Sequence, residues 1–161
     1  MNYMVRKQYM VVESARKNFY ESRTICKNLG GMLPEPRNEL DNNFLDSISY
    51  KSFYLGMRDS SVEGYWAFES DYSKVAWKNW VRWSDHANPP NGGTNENCAI
   101  MLKDYNKNEG GHNPKAWVDI KCSQPIGEMD VICEKGDDIF TSYLSDIISY
   151  IYQVVITYFH K

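Results

Sequence analysis

The residues most able to bind a ligand or an ion are two acidic side chains, each close to a cysteine. Glu96 lies two residues before Cys98, and Asp119 lies three residues before Cys122. If these two cysteines are joined, the two carboxylates come close together, with the amide oxygens of neighbouring asparagines nearby. Paired carboxylates and amide oxygens are the ligands that a hard cation such as Ca²⁺ requires. The same spacing is equally consistent with a solvated acidic loop, so both interpretations stay open at this point.

The chain has four cysteines, and their number and spacing indicate an oxidising environment. The count is even, the spacing is wide and no C-x-x-C pair occurs, which argues against a zinc ribbon or a thioredoxin-type site. The pattern favours two structural disulfides and a secreted, extracellular protein. The opening residues 1–7 contain no apolar stretch long enough for a signal peptide, which conflicts with that interpretation. A processed or truncated form, a sequence altered for expression or an unusual isoform would reconcile the two.

Composition bounds the class of protein. The chain has 161 residues, of which 42% are hydrophobic and 14% aromatic, so it suits one domain with a full core and favours strands over a helical bundle. The net charge is −3, and no run of Lys and Arg occurs, so nucleic-acid binding is not expected. No Ser/His/Asp or Cys/His constellation stands out, so we do not expect an enzyme.

Two helices are predicted early in the chain. The first spans 18–31 and ends at a Gly-Gly pair, and the second follows Pro36 with Asn38 as its N-cap. The buried face of the first helix is predicted to carry Ile25, Cys26 and Leu29. The buried stripe of the second is predicted to carry Leu40, Phe44, Leu45 and Ile48.

Strands and loops follow these helices, which is an α+β pattern. The predicted strands are 53–57, 65–68, 98–102 and 130–133. Residues 84–97 have loop composition, and the loop is long enough to suggest a function.

The residues after 135 form an apolar tail, 136–161, of unknown role. Residues 139–159 have the length of a membrane span, but Tyr, Ser, Thr and Gln dilute them. The pattern therefore favours an amphipathic or partner-binding helix, or a tail of non-native origin, over membrane contact. The main domain is predicted to span 7–135.

Over residues 7–135 the sequence resembles the C-type lectin-like domain family. The matching segments occur in the family's order: 33–39, Tyr54-Leu55-Gly56-Met57, Gly64-Tyr65-Trp66, Trp77-Lys78-Asn79-Trp80, Asn97-Cys98 and Trp117-Val118-Asp119. The resemblance implies a C-type lectin-like α+β fold, in which two helices flank two small antiparallel sheets and a long loop binds the ligand. It also implies the disulfides Cys26–Cys133 and Cys98–Cys122, which is the family's short form.

In sugar-binding members of this family, calcium is held by three motifs. They are a Glu-Pro-Asn or Gln-Pro-Asp triplet, a Glu two residues before a cysteine, and a Trp-Asn-Asp triplet, and the ion binds two sugar hydroxyls. The resemblance assigns Asn91, Glu96 and Asp119 to these positions, and Asn91 implies a mannose-type preference. Trp83, near the loop, is the tryptophan expected to contact a ligand. The tryptophans expected in the core are Trp66, Trp77, Trp80 and Trp117.

Two positions depart from the calcium-binding pattern. Pro89 and Val118 stand where the family has side-chain oxygens, and Ca²⁺ wants 6–8 oxygen ligands. We therefore expect weak calcium binding, in the millimolar range of low-affinity extracellular sites. An alternative register places Asn88-Pro89-Pro90 on the first triplet, which gains one amide and loses Asn91. The sequence does not decide between the two registers.

A second, auxiliary cation site is implied by the same resemblance. Asp59 and Glu63 have the family's four-residue spacing, and Asn97 stands in place of a third, acidic ligand. The competing interpretation is a polar turn in which Asp59 caps the backbone. For Asn91, the competing interpretation is a turn residue before two glycines.

Two functions follow from these residues. The first is an extracellular carbohydrate-binding module with weak calcium dependence, and its ligands are glycans. The alternative is a lectin-like domain without sugar binding that recognises a protein or has a structural role. Asn91, Glu96 and Asp119 favour the first function, whereas Pro89 and Val118 favour the second.

Overall fold

The computed structural model describes residues 7–83, 87–103, 115–125 and 127–136. The chain divides into two units, of which Tyr9–Glu134 is one and Met1–Gln8 with Lys135–Lys161 is the other. Of the second unit, only residues 7–8 and 135–136 are among the described residues. The predicted apolar tail therefore lies outside them, apart from Gly136.

Two helices and six strands are found among the described residues. In chain order they are β1 Lys7–Ala15, α1 Phe19–Asn28, α2 Glu39–Ile48, β2 Phe53–Arg58, β3 Ala67–Phe68, β4 Cys98–Met101, β5 Trp117–Ile120 and β6 Glu128–Gly136. β1 and β6 form a two-stranded sheet, and a four-stranded antiparallel sheet has the order β3-β2-β4-β5. The predicted α+β class and sheet arrangement are confirmed. The long strand β1 had not been predicted.

Both helices begin at asparagine caps. The Asn18 side chain accepts a hydrogen bond from the backbone N–H of Glu21, whose carboxylate accepts one from the Asn18 N–H in return. Asn38 caps α2 in the predicted way, by accepting from the N–H of Asp41. α1 ends at Asn28, before the predicted limit at residue 31.

The predicted apolar stripe of α2 is partly wrong. Leu45 is buried, but Leu40 is 80% exposed and Phe44 is 48% exposed. Asn42 takes an inward position, because its Oδ1 accepts a hydrogen bond from Trp117 Nε1 at 2.7 Å and thereby satisfies a buried indole. On α1 the same kind of error occurs at Leu29, which is 48% exposed at the helix end.

The core consists of two clusters of buried side chains, one on each face of the four-stranded sheet. Successive residues of a strand point to opposite faces. On β5, Trp117 accordingly packs in the first cluster, whereas Val118 and Ile120 pack in the second. The four tryptophans expected in the core lie in the first cluster or pack against it, with ring centroids 4.7 Å apart for Trp66 and Trp80.

Two disulfides close the structure, Cys26–Cys133 and Cys98–Cys122. This is the pairing that the family resemblance implied. The second bridge ties the start of β4 to the turn after β5, which is the end of the sheet where the predicted site residues lie. No helix among the described residues has the length and apolarity needed to cross a membrane.

Candidate functional site

Asp119 reaches the site through the pairing of β4 and β5. It lies opposite Ala99 in the ladder, one step from the bridged Cys98. By the alternation of the strand, its side chain lies on the face of Trp117, near the edge of the sheet. It is only 8% exposed. A carboxylate so deeply buried needs hydrogen-bond donors, and the long loop supplies them.

The Asp119 carboxylate holds the loop by two backbone amides. Its Oδ2 accepts hydrogen bonds from the N–H of Asn91 at 2.6 Å and from the N–H of Gly92 at 2.7 Å. Hydrogen bonds of this kind to a charged acceptor are stronger than neutral ones. The loop is therefore anchored to the sheet by the protein's own donors at the residue that the sequence assigned to calcium.

Glu96 packs directly against the same turn. A Cβ atom added to Gly92 would lie 2.2 Å from the Glu96 carboxylate, so only glycine fits at this position. Burial and the nearby charge of Asp119 raise the pKa of Glu96, while Lys121 acts in the opposite direction. Glu96 and Asp119 thus lie close enough for their charges to interact, as the sequence predicted.

Asn91 is exposed, and its side chain turns back onto the loop. Its Nδ2 donates to the carbonyl oxygen of Ala87 at 2.7 Å. Trp83 is half-buried, and its backbone N–H donates to Asn88 Oδ1 at 2.6 Å. The amide oxygen of Asn88 is therefore engaged within the loop, whereas the Asn91 backbone contacts Asp119, and this contact favours the register that places Asn91 on the triplet. The Pro89–Pro90 peptide bond in this segment is cis.

The two departures from the calcium-binding pattern take apolar positions. Pro89 is buried, and Val118 is half-buried against the second core cluster. Val118 points away from Asp119 because the two are neighbours on one strand. Neither residue brings a side-chain oxygen to the loop.

The auxiliary residues are brought together only in part. The backbone N–H of Asp59 donates to the carbonyl oxygen of Asn97 at 3.4 Å, which places these two residues side by side. The Asp59 Oδ2 accepts from the N–H of Gly64 at 3.1 Å, as the capped-turn interpretation expects. Glu63 is exposed, and no hydrogen bond joins it to Asp59 in the described part of the chain.

Two oxygens in this region have no hydrogen-bond partner. They are Asp59 Oδ1 and Asn97 Oδ1, and both are buried. Such atoms are rare in folded proteins and call for a ligand, ion or water. Burial raises the pKa of Asp59, the N–H of Gly64 lowers it in part, and Asp119 raises it further.

We call the set of Asp59, Glu96, Asn97 and Asp119 the loop-end cluster. Asp119 is its electrostatic centre, because its charge raises the pKa of both other acids. The carboxylates do not converge on one point: within 7–83, 87–103, 115–125 and 127–136, no three His, Cys, Asp or Glu side chains are grouped to hold a metal ion. The sequence missed the backbone donors at 91 and 92, for which the Asn-Gly-Gly run was the available signal.

The comparison with known sequences identifies the family. The profile described as "Lectin C-type domain" matches residues 15–135. The chain belongs to the C-type lectin domain family. C-type lectin domains are recognition domains and not enzymes, which agrees with the sequence prediction.

Individual relatives are distant. Human tetranectin is 29% identical over 126 residues, a match that covers 74% of this chain and 55% of tetranectin, so the chain spans about half of that relative. The carbohydrate-recognition domain of cow CD23, solved in the presence of a GlcNAc2Man3 oligosaccharide, has a TM-score of 0.62 at 24% identity and covers 84% of this chain and 92% of its own. A calcium-independent type II antifreeze protein has a TM-score of 0.62 at 19% identity, with 84% and 90% covered. At these identities the two structures show the fold alone.

Proposed function

We propose that this C-type lectin domain is an extracellular glycan-binding module that binds calcium only weakly. The observation that carries the proposal is the anchoring of the loop by Asp119, which keeps Asn91 exposed at the edge of the four-stranded sheet. A binding loop held in place before the ligand arrives loses less entropy on binding. The two disulfides support an oxidising, extracellular location.

The primary position fits calcium poorly. Asp119 Oδ2 already accepts two amide hydrogen bonds, and Pro89 and Val118 offer no side-chain oxygen. Only Asn91, Glu96 and the remaining oxygen of Asp119 are left as side-chain ligands, against the 6–8 oxygens that Ca²⁺ wants. This count supports millimolar or weaker affinity, and sugar recognition that depends more on the loop than on an ion.

The auxiliary position fits a cation better. Asp59 Oδ1 and Asn97 Oδ1 are buried oxygens without a donor, next to a second negative charge at Asp119. A bound calcium ion would supply the positive charge that these oxygens lack. Asp59 and Asn97 would hold it, with water completing the shell.

A second candidate function is recognition of a protein ligand without any sugar. It is favoured by the same two amide hydrogen bonds, since a loop that holds its shape through Asp119 needs no ion and no saccharide to present a surface. Removing calcium does not by itself distinguish the two candidate functions. Glycan binding has to be measured in the same experiment.

The decisive experiment is a calcium titration followed by tryptophan fluorescence, run beside a glycan array with and without chelator. We expect weak calcium binding that Asp59→Asn reduces, and mannose-type glycan binding that Asp119→Ala abolishes. Pro89→Glu should tighten both, because it adds a side-chain oxygen to the loop, whereas Val118→Asn, whose side chain lies on the opposite face of β5, should not. Glu128→Gln, an exposed residue of β6 whose carboxylate is not at the site, is the matched control. A correctly folded domain that binds no glycan under any of these conditions would refute the lectin proposal in favour of the protein-ligand one.

A further inference from the structure

A cavity of about 350 Å³ opens beside the loop-end cluster, on the side of α1. Three separate segments line it, and the described residues among its walls are Tyr20, Thr94, Asn95, Asn97, Lys121, Cys122 and Ser123. Ligand pockets in proteins begin at about this volume, and such a space has room for one saccharide ring. The described residues that line it include no acidic side chain, although the chain as a whole is acidic.

The walls are fixed to one another by the backbone. The N–H of Phe19 at the start of α1 donates to the carbonyl oxygen of Cys122 at 3.1 Å. The Tyr54 hydroxyl donates to the carbonyl oxygen of Gln124 at 2.8 Å. With the Cys98–Cys122 bridge in the floor, the turn 121–124 is held on both sides. The cavity is therefore built by tertiary contacts and does not depend on a single surface loop.

Tyr20 offers an aromatic surface at the mouth of the cavity. The residue is 44% exposed, although its ring lies in a fixed arrangement. The Phe19 ring meets it edge to face at 5.7 Å, and the Arg23 guanidinium lies 5.7 Å from its centroid. Arg23 is in turn held by Glu69 at 2.9 Å. An exposed ring with a fixed orientation is the platform on which the apolar face of a sugar stacks.

Lys121 supplies the positive charge of the cavity. Its side chain is exposed, and none of the described carboxylates forms an ion pair with it. Its charge acts on Glu96, where it opposes the rise in pKa that burial and Asp119 cause. Thr94, Asn95 and Ser123 add hydroxyl and amide groups that both donate and accept. A cation, an aromatic face and neutral polar groups together match an acidic sugar better than a neutral one.

We propose that this cavity is a second saccharide subsite that binds a sugar carrying a carboxylate or a sulfate group. The sugar ring stacks on Tyr20, its anionic group pairs with Lys121, and its hydroxyls bond to Thr94, Asn95 and Ser123. The subsite goes beyond the proposed function, because it requires neither calcium nor Asn91. Carboxylate and sulfate share the same chemistry here, so the experiment includes both.

The test is titration calorimetry of the full chain in chelator, with two matched pairs of probes. The first pair is methyl glucuronide and methyl glucoside, and the second is 6-sulfo-N-acetylglucosamine and N-acetylglucosamine. We expect the anionic member of at least one pair to bind and its neutral partner to bind about tenfold more weakly, since one charge-assisted contact is lost. Lys121→Gln should remove that difference, and Tyr20→Leu should weaken both members.

The controls separate this site from the loop. Lys78→Gln, at an exposed lysine elsewhere on the surface, should leave binding unchanged. Because the titration is run in chelator, calcium-dependent glycan binding at the loop does not contribute to it, so failure of the loop site and failure of the subsite are distinguishable. Equal binding of neutral and anionic sugars, binding of inorganic sulfate as tight as that of the sulfated sugar, preference for an acidic peptide, or insensitivity to Lys121→Gln would each overturn the proposal.

Discussion

Two regions of this domain bury carboxylates, and they treat them differently. Glu35 is 2% exposed, and its two oxygens accept hydrogen bonds from Ser70 N–H at 2.8 Å, from Ser70 Oγ at 2.7 Å and from Arg37 Nη2 at 2.9 Å. Asp59 is equally buried, but one of its oxygens has no partner. We call Glu35, Arg37, Ser70 and Asp71 the Glu35 network.

Burial raises the pKa of both acids, but the surroundings act in opposite ways. At Glu35, hydrogen bonds from Ser70 and the charge of Arg37 oppose the rise. At Asp59, the N–H of Gly64 opposes it while the charge of Asp119 adds to it. A carboxylate whose acceptors are filled by the protein holds its donors in place, and its removal leaves those donors without a partner. A carboxylate left incomplete beside another negative charge costs stability and has the capacity to bind a ligand.

The largest effect is expected in the Glu35 network. Glu35→Ala should reduce the free energy of unfolding by about 3 kcal/mol, because it removes the buried partner of Arg37 and of the Ser70 donors. Urea denaturation at neutral pH measures this loss. Glu35→Gln, which keeps the shape and one acceptor, should lose less. A loss below about 1 kcal/mol for the alanine variant would contradict a structural role.

A smaller effect is expected at Asp119, the residue of the loop-end cluster whose Oδ2 accepts two amide hydrogen bonds. Asp119→Asn should cost about 2 kcal/mol, because those bonds lose their charged acceptor. Hydrogen exchange of the Asn91 and Gly92 amides should then accelerate by roughly 30-fold if the loop opens independently. The exposed Glu128→Gln variant should change neither quantity. Unchanged exchange at both amides would show that Asp119 does not anchor the loop.

The fold was predictable because its signals are local or ordered along the chain. Asparagine caps, the aromatic strands and the cysteine order all carry into the structure. The errors arose where tertiary contacts decide. Asn42 displaces Leu40 from the core side of α2 because a buried tryptophan indole needs an acceptor, and no periodicity in the helix reveals that need.

The candidate site was predictable to the level of single residues but not of their bonds. The sequence located Glu96 and Asp119 near each other, and the structure places them within electrostatic reach. The sequence did not predict that backbone amides donate hydrogen bonds to the Asp119 carboxylate. Main-chain donors have no sequence signature beyond the glycines that allow the backbone to come close. The unsatisfied oxygens of Asp59 and Asn97 are likewise a property of packing.

A gain in stability is expected at Asp59. Asp59→Asn should raise the melting temperature by about 3 °C at neutral pH without calcium, since it removes a buried charge with an unsatisfied oxygen, worth about 1 kcal/mol. The pKa of Asp59 is raised in the folded state, so its destabilising effect is fully present above that pKa and disappears as the pH falls below the unfolded value. The difference between variant and parent should therefore shrink on acidification. A variant that is less stable than the parent at neutral pH would mean that Asp59 is a satisfied structural acid like Glu35.

The smallest effect is expected from removing the apolar tail. The two core clusters of the described residues end at Ile132 and Cys133, so a chain truncated after Lys135 should fold with a melting temperature within about 3 °C of the parent. A truncation two residues shorter is the control. It removes Glu134, whose carboxylate accepts from the Glu35 N–H at 3.0 Å and whose backbone bonds Met32, and it should be clearly destabilised.

In the 1–135 chain, Glu35→Ala and Asp119→Asn should keep their separate costs to within about 0.5 kcal/mol, because independent sites add. If the longer truncated chain fails to fold, the tail belongs to the domain, and the contrast between the two regions would have to be measured in the full chain alone.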